Sequence, residues 1–188
     1  AEFDGPLRIL SVGRMETDKG HAYLLEALRQ LRQRGIAFEA RFVGPGTLVD
    51  LYRAQVEQSG MADAVQVLGG IEYGAPLFAQ LGWAHLFVLP ALTEGLPRAL
   101  VEAMARGLPA LGTRAGGIPE VPSDAAIVAT RDAEAIAEKI ALWSADRLVL
   151  VDASRRNFEF ATENYGQAVM AQRKHAFWRV VREHGGRA

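Results

Sequence analysis

An alternation kept up from Leu7 to Ala145 restricts this chain more than anything else in it: short apolar runs rich in β-formers take turns with longer segments of helical spacing. Strand, helix and strand in that order pack as a parallel sheet covered by helices, because a parallel pair needs a long crossover, usually helical. Six runs read as strands, Arg8–Gly13, Ala40–Gly44, Ala64–Leu68, Leu86–Leu89, Ala110–Gly112 and Ala126–Ala129. Several are apolar at consecutive positions, as strands covered on both faces are. Helices are expected between them at Lys19–Arg34, Thr47–Ser59, Ala75–Trp83, Leu96–Arg106 and Asp132–Trp143. The first places Leu24, Leu25, Leu28 and Leu31 on one side, with Asp18 as its N-cap and Gly35 as its stop. Beyond Ala145 the pattern is helical only, Arg147–Phe160 and Gln167–His184, with a turn over Thr162-Glu163-Asn164-Tyr165-Gly166 between them.

With 188 residues, 49% of them hydrophobic, the chain reads as a single α/β domain over 1–188. A domain of that size buries roughly 70% of its unfolded surface. The formal net charge of -1 offers no bulk attraction for nucleic acid, so an anion site must be local. No apolar run approaches the ~20 residues that span a bilayer. The lack of cysteine excludes disulfides and thiolate metal sites and suits a cytoplasmic protein. Ala1-Glu2-Phe3 reads as a cloning remnant, with the first native strand starting near Leu7.

Ligands of open parallel sheets bind at the carboxyl ends of the strands, near the point where strand order reverses. That rule selects five loops, Gly13–Asp18, Gly44-Pro45-Gly46, Gly69-Gly70-Ile71, Pro90–Leu96 and Thr113–Ile118. The fourth opens the densest stretch of chemistry, PALTEGLPRALVEAMAR, with Glu94 in a loop and Glu102 in the helix that follows. Pro97 suits the first helical position, which starts the helix near Gly95 to Pro97 and leaves its first amides free for an anion. In the first loop Arg14 and Lys19 stand beside a helix start, where the macrodipole favours anions rather than cations. A guanidinium fork and an ammonium point charge beside free amides suit a diphosphate. The alternative is a solvated basic loop partnered by Glu16 and Asp18. For Glu102 the alternative is an ion pair with Arg98 one turn back, worth about 0.3–0.5 kcal/mol on an exposed helix.

Several chemistries lack their signatures. There is no GxGxxG turn, no GxxxxGK[ST] loop and no serine in a nucleophile elbow. Gly44-Pro45-Gly46 reads as a tight turn rather than a separate phosphate clamp. His21, His85, His175 and His184 lack ligand spacing, and no Asp-x-Asp pair is present, so neither a metal nor a cofactor is expected. Glu94 and Glu102 lie along one element, not opposed across a scissile bond as a glycosidase pair is.

Taken together, VGRMETDKG, FVGPG, VQVLGGI and PALTEGLPRALVEAMARGLPALGTRAGGIPEV resemble the donor-binding half of the retaining two-domain (GT-B) glycosyltransferases of family four, group 1. The likeness runs from about Leu7 to Trp143 and centres on two glutamates separated by seven residues in EGLPRALVE. It implies a Rossmann-like parallel sheet with helices on both faces, ending in two C-terminal helices. It also implies a metal-independent hexosyltransferase using a nucleoside diphosphate sugar, most simply of the UDP type. On that likeness Arg14 and Lys19 take the diphosphate, joined by the amides around Gly95, Leu96 and Pro97. Glu102 holds the ribose hydroxyls, Glu94 contacts the transferred sugar, and Gly69, Gly70 and Ile71 meet the base through backbone. Whether Glu94 does more than hold hydroxyls stays open.

The chain departs from the pattern at Ala91, where a serine is common, and in PSDAAIVAT after Val121, which lacks a usual glycine. An acceptor-binding N-terminal domain of about 150 to 200 residues is expected outside this chain, and the isolated chain is expected not to transfer. Rival readings are a non-catalytic nucleotide-sugar-binding module and half of a nucleotide-sugar epimerase. In the resembled family the final helix crosses back onto the N-terminal domain. Its apolar stripe of Val169, Met170, Phe177, Val180 and Val181 therefore suggests a weak dimer when that domain is missing. Its basic edge suggests peripheral contact with the inner face of a membrane.

Overall fold

The computed structural model describes residues 5–121 and 126–184. The expectations for residues 1–3 and for the turn at 122–125 lie outside those residues. Strands β1 (Leu7–Val12), β2 (Phe38–Val43), β3 (Val65–Gly69), β4 (Leu86–Leu89), β5 (Ala110–Thr113) and β6 (Ile127–Val128) form one sheet in the order β3-β2-β1-β4-β5-β6. Every pairing is parallel. The order reverses between β1 and β4, which pair through Ile9 with Leu86 and Leu10 with Phe87.

Side chains alternate across a strand, so each central strand feeds two cores. Leu7, Ile9, Ala40, Phe42, Leu86, Val88 and Leu111 point to one face. There they meet Leu24, Leu28 and Leu31 of α1 (His21–Gln33), Tyr52 and Val56 of α2 (Val49–Gln58), and Ile136 and Ile140 of α5 (Ala133–Ala145). Leu10, Val43, Phe87, Leu89 and Ala110 point to the other face, against Leu77 and Leu81 of α3 (Ala75–Trp83) and Leu100, Ala103 and Met104 of α4 (Arg98–Met104). The chain closes with α6 (Arg147–Tyr165) and α7 (Gln167–His184). No helix among the described residues is long and apolar enough to cross a membrane.

Most elements fall within one or two residues of the sequence reading, and the differences that matter for the site and the chain's end have physical causes. Lys19 does not begin α1: Thr17–Lys19 is a short 3-10 turn, and Gly20, at φ 67°, caps the helix in place of Asp18. A Cβ at Gly20 would lie 2.0 Å from the Pro90 carbonyl oxygen, so glycine is required where the loop after β4 passes over the helix start. Pro97 is the residue before α4 rather than its first: its ψ of 67° is not helical, and its carbonyl accepts the first helical bond, from the Val101 N–H at 3.0 Å. The sixth strand is only two residues long, at Ile127–Val128. Helix α6 runs through the expected turn to Tyr165, held by buried Ala161 and by an Asn164 amide that donates to the Phe160 carbonyl at 3.0 Å. The break falls at Gly166, with φ -57° and ψ 150°.

Candidate functional site

The reversal between β1 and β4 sends their two loops across each other, and that crossing assembles the site. After β1 the chain turns through Arg14 to Lys19; after β4 it runs through Ala91 to Leu96. The Asp18 carbonyl accepts from the Leu92 N–H at 2.8 Å and from the Thr93 N–H at 3.4 Å, which ties the loops by backbone. Their side chains then meet. The Lys19 ammonium donates to Glu94 Oε2 at 3.0 Å and to the Thr93 carbonyl at 3.4 Å, with only 14% of the Lys19 side chain and 17% of the Glu94 side chain exposed.

Each loop is held from behind. Thr113, fully buried, donates its hydroxyl to the Ala91 carbonyl. Ala91 is itself buried, so the position where the resembled pattern has a serine is a backbone anchor here. The Glu94 carbonyl accepts from the Gly117 N–H at 3.3 Å. Gly116, at φ 48°, passes so close that a Cβ would sit 1.6 Å from that carbonyl oxygen. On the other side, Met15 gives its N–H to the Pro45 carbonyl at 2.7 Å, and Gly44 gives its own to the Gly69 carbonyl at 2.7 Å. The loops after β1, β2 and β3 are thus one hydrogen-bonded row, with Gly44-Pro45-Gly46 as its middle turn.

Of the basic-loop alternative, Glu16 is turned mainly to Thr47, with Arg14 a lesser charge neighbour. Its carboxylate accepts from the Thr47 N–H at 2.9 Å and the Thr47 hydroxyl at 2.7 Å, bonds that hold its pKa below the usual carboxylate value. Asp18 does face both cations, with Oδ2 3.5 Å from the Lys19 ammonium and 4.0 Å from the Arg14 guanidinium. Sequence alone makes Asp18 a cap; the glycine directly after Lys19 is the signal that the helix begins later. Arg14, 65% exposed, stands further out than Lys19. His21 packs beneath the loop, 1% exposed, against the Phe42 and Tyr52 rings. Burial, aided by Lys19, pushes its pKa down to about 4, so the ring is neutral at physiological pH.

Among the described residues Glu102 makes no ion pair with Arg98. The two instead line a cleft of about 140 Å³ with Leu96, Val101 and Tyr165. The backbone N–H groups of Gly95 and Leu96 have no acceptor among the described residues. Pro97 has no N–H to offer; its carbonyl accepts from Val101 at 3.0 Å, so it shapes the turn instead of contributing an amide. Gly69, Gly70 and Ile71 lie at the β3 edge, linked to the cation loop through the Pro45 turn, against which Gly70 packs. No group of three or more histidine, aspartate or glutamate side chains spaced to hold a metal occurs among the described residues. A roomier cavity, about 490 Å³, lies at the amino ends of β4 and β5, beside His85, Arg106 and Pro109, away from all of these residues.

Known proteins share both the sequence and the architecture. Residues 1–164 match the family model of glycosyl transferases group 1. The putative colanic acid biosynthesis glycosyltransferase WcaL of Escherichia coli is 36% identical over 175 residues, 88% of this chain and 43% of that protein. The putative glycosyltransferase EpsF of Bacillus subtilis is 32% identical over 156 residues, 83% of this chain and 39% of that protein. The chain therefore spans less than half the length of these relatives. In fold it superposes on sucrose-phosphate synthase from Thermosynechococcus elongatus with a TM-score of 0.85, at 23% identity over 95% of this chain and 46% of that one. Anabaena Alr3699/HepE in complex with UDP gives a TM-score of 0.83, at 19% identity over 93% of this chain and 49% of that one. With the group 1 model matched over most of its length and relatives named as glycosyltransferases, the chain belongs to the glycosyl transferases group 1 family and corresponds to the C-terminal domain of a GT-B glycosyltransferase.

Proposed function

We propose that this chain binds a nucleoside diphosphate sugar across the β1/β4 reversal and forms the donor half of a retaining enzyme that moves a hexose to an acceptor. The observation that carries the reading is the meeting of Lys19 and Glu94 at 3.0 Å, at the point of the sheet where a ligand is expected. Lys19 supplies the inner positive charge for the diphosphate and Arg14 the outer one. The free N–H groups of Gly95 and Leu96 add donors beside them. Such fixed donors act on the charge that develops on the leaving diphosphate, so the proposed catalysis is electrostatic. Glu94, already paired with an ammonium, suits holding sugar hydroxyls better than attacking carbon. Glu102, free of Arg98, suits the ribose diol, with Leu96, Val101 and Tyr165 around it.

UDP is the first nucleotide to try, since Alr3699/HepE is described with UDP and with UDP-glucose. GDP is the second, since a Mycobacterium tuberculosis relative, 28% identical over 80% of this chain, is named a GDP-mannose-dependent mannosyltransferase. Transfer is proposed for the whole protein, because one wall of the cleft is all that the residues here build. A thermal-shift series with UDP, GDP, UDP-glucose and GDP-mannose tests the reading. A nucleotide at 100 times its dissociation constant stabilises the fold by about 2.7 kcal/mol. Stabilisation by at least one pair, lost in Lys19→Ala, is expected; no shift with any of the four overturns the proposal.

A further inference from the structure

Lys19 has more negative charge around it than it can neutralise. Its ammonium faces Glu94 Oε2 at 3.0 Å, the Thr93 carbonyl at 3.4 Å and Asp18 Oδ2 at 3.5 Å. Two of the three ammonium donors are used, by Glu94 and the Thr93 carbonyl, and Asp18 stands against the third as an ion pair without a hydrogen bond, so a diphosphate that takes that donor must push the Asp18 carboxylate aside. The two carboxylates differ in how easily they yield. The Glu94 side chain is 17% exposed and held from behind at its carbonyl, whereas the Asp18 side chain is 40% exposed. The same oxygen of Asp18 also reaches Arg14, at 4.0 Å, so this one carboxylate lies between both proposed phosphate cations. Resting on the diphosphate reading of the cleft, we infer that Asp18 is a positioning residue that competes with the diphosphate for Arg14 and Lys19 and thereby hastens release of the nucleoside diphosphate product.

The backbone of Asp18 stays in place while its side chain gives way, because its carbonyl is fixed by the Leu92 and Thr93 N–H groups. The competition falls unequally on donor and product. Loss of the sugar leaves a terminal phosphate with an additional ionised oxygen, and a nearby carboxylate opposes that extra charge. Asp18 therefore weakens the product more than the donor, and so favours turnover over product retention.

Calorimetry on chain 1–188 with UDP, GDP, UDP-glucose and GDP-mannose tests this, using Asp18→Asn, Asp18→Ser and the charge-keeping Asp18→Glu. The two neutral variants are expected to bind the nucleoside diphosphate about three- to tenfold more tightly than the parent, the range set by two partly exposed charge contacts. The gain is smaller for the sugar nucleotide, shrinks as salt is raised, and vanishes in Asp18→Glu. A residue that merely held the loop together would weaken binding when replaced. Both neutral variants binding the diphosphate as the parent does, or less tightly, overturn the inference while leaving the donor reading intact. A parent and variants that bind none of the four ligands overturn the donor reading, and the inference with it.

Discussion

Lys19 and Glu94 share an ion pair, yet their proposed partners on the donor differ, and so does the expected effect of replacing each carboxylate nearby. Glu102 is assigned to the ribose, which a nucleoside diphosphate and its sugar both carry. Glu102→Ala is expected to weaken both ligands alike, by about 1.5–3 kcal/mol for lost charge-assisted hydrogen bonds. Glu94→Ala is expected to remove the extra affinity contributed by the sugar without weakening the diphosphate alone, because it releases the ammonium 3.0 Å away. Calorimetry on both variants decides; a Glu102→Ala chain that binds the diphosphate like the parent would place the ribose elsewhere. The meeting of Lys19 with Glu94 could be anticipated in the sequence because each is a charged residue in a loop at a strand exit, where burial alone does not require one. Asp18 was legible as a partner of the two cations but was also taken for the helix cap, a role that the positive φ of Gly20 removes because the helix starts two residues later.

At the scale of elements, the strands and the first helix were readable because consecutive apolar positions and a leucine stripe record burial directly. Helix ends were less readable, since they depend on contacts with distant loops. The end of α6 is an example: Thr162, Glu163 and Asn164 look like a turn, but Ala161 is buried in the core and the helix continues. The same dependence makes two glycines behave oppositely. Gly116 meets the Glu94 carbonyl, with room for no Cβ, and has φ 48°, whereas Gly82 lies inside α3 with nothing within 4 Å of where a Cβ would stand. Gly116→Ala is expected to destabilise the fold by about 1–3 kcal/mol and to abolish nucleotide binding by pushing the β4 loop off its seat. Gly82→Ala is expected to stabilise by up to about 1 kcal/mol and leave binding alone. Urea unfolding followed by nucleotide titration reads both, and a Gly116→Ala chain with parental stability and binding would show that the two loops are not interlocked.

At the scale of the molecule, both cores are closed by α1 to α6, and α7 stands outside them. Met170, Phe177, Trp178, Val180 and Val181 are 47%, 61%, 50%, 54% and 39% exposed, an apolar surface that a helix does not normally leave in water. Arg173, Lys174, Arg179 and Arg182 are exposed on the same helix, which limits how closely two copies approach at low salt. Chain 1–188 is therefore expected to self-associate weakly and reversibly through α7, more strongly as salt screens the basic side chains. Sedimentation velocity across a concentration series should show this, and Phe177→Glu with Trp178→Glu should return the chain to a monomer while leaving nucleotide binding unchanged. Because the relatives are more than twice as long as the region matched, the same face is proposed to pack against the other half of the whole protein. Adding that half should then suppress the self-association that the isolated chain shows. A parent chain that stays monomeric at every concentration and salt, with α7 amides exchanging as fast as an unfolded peptide, would mean that this helix forms only when its partner is present.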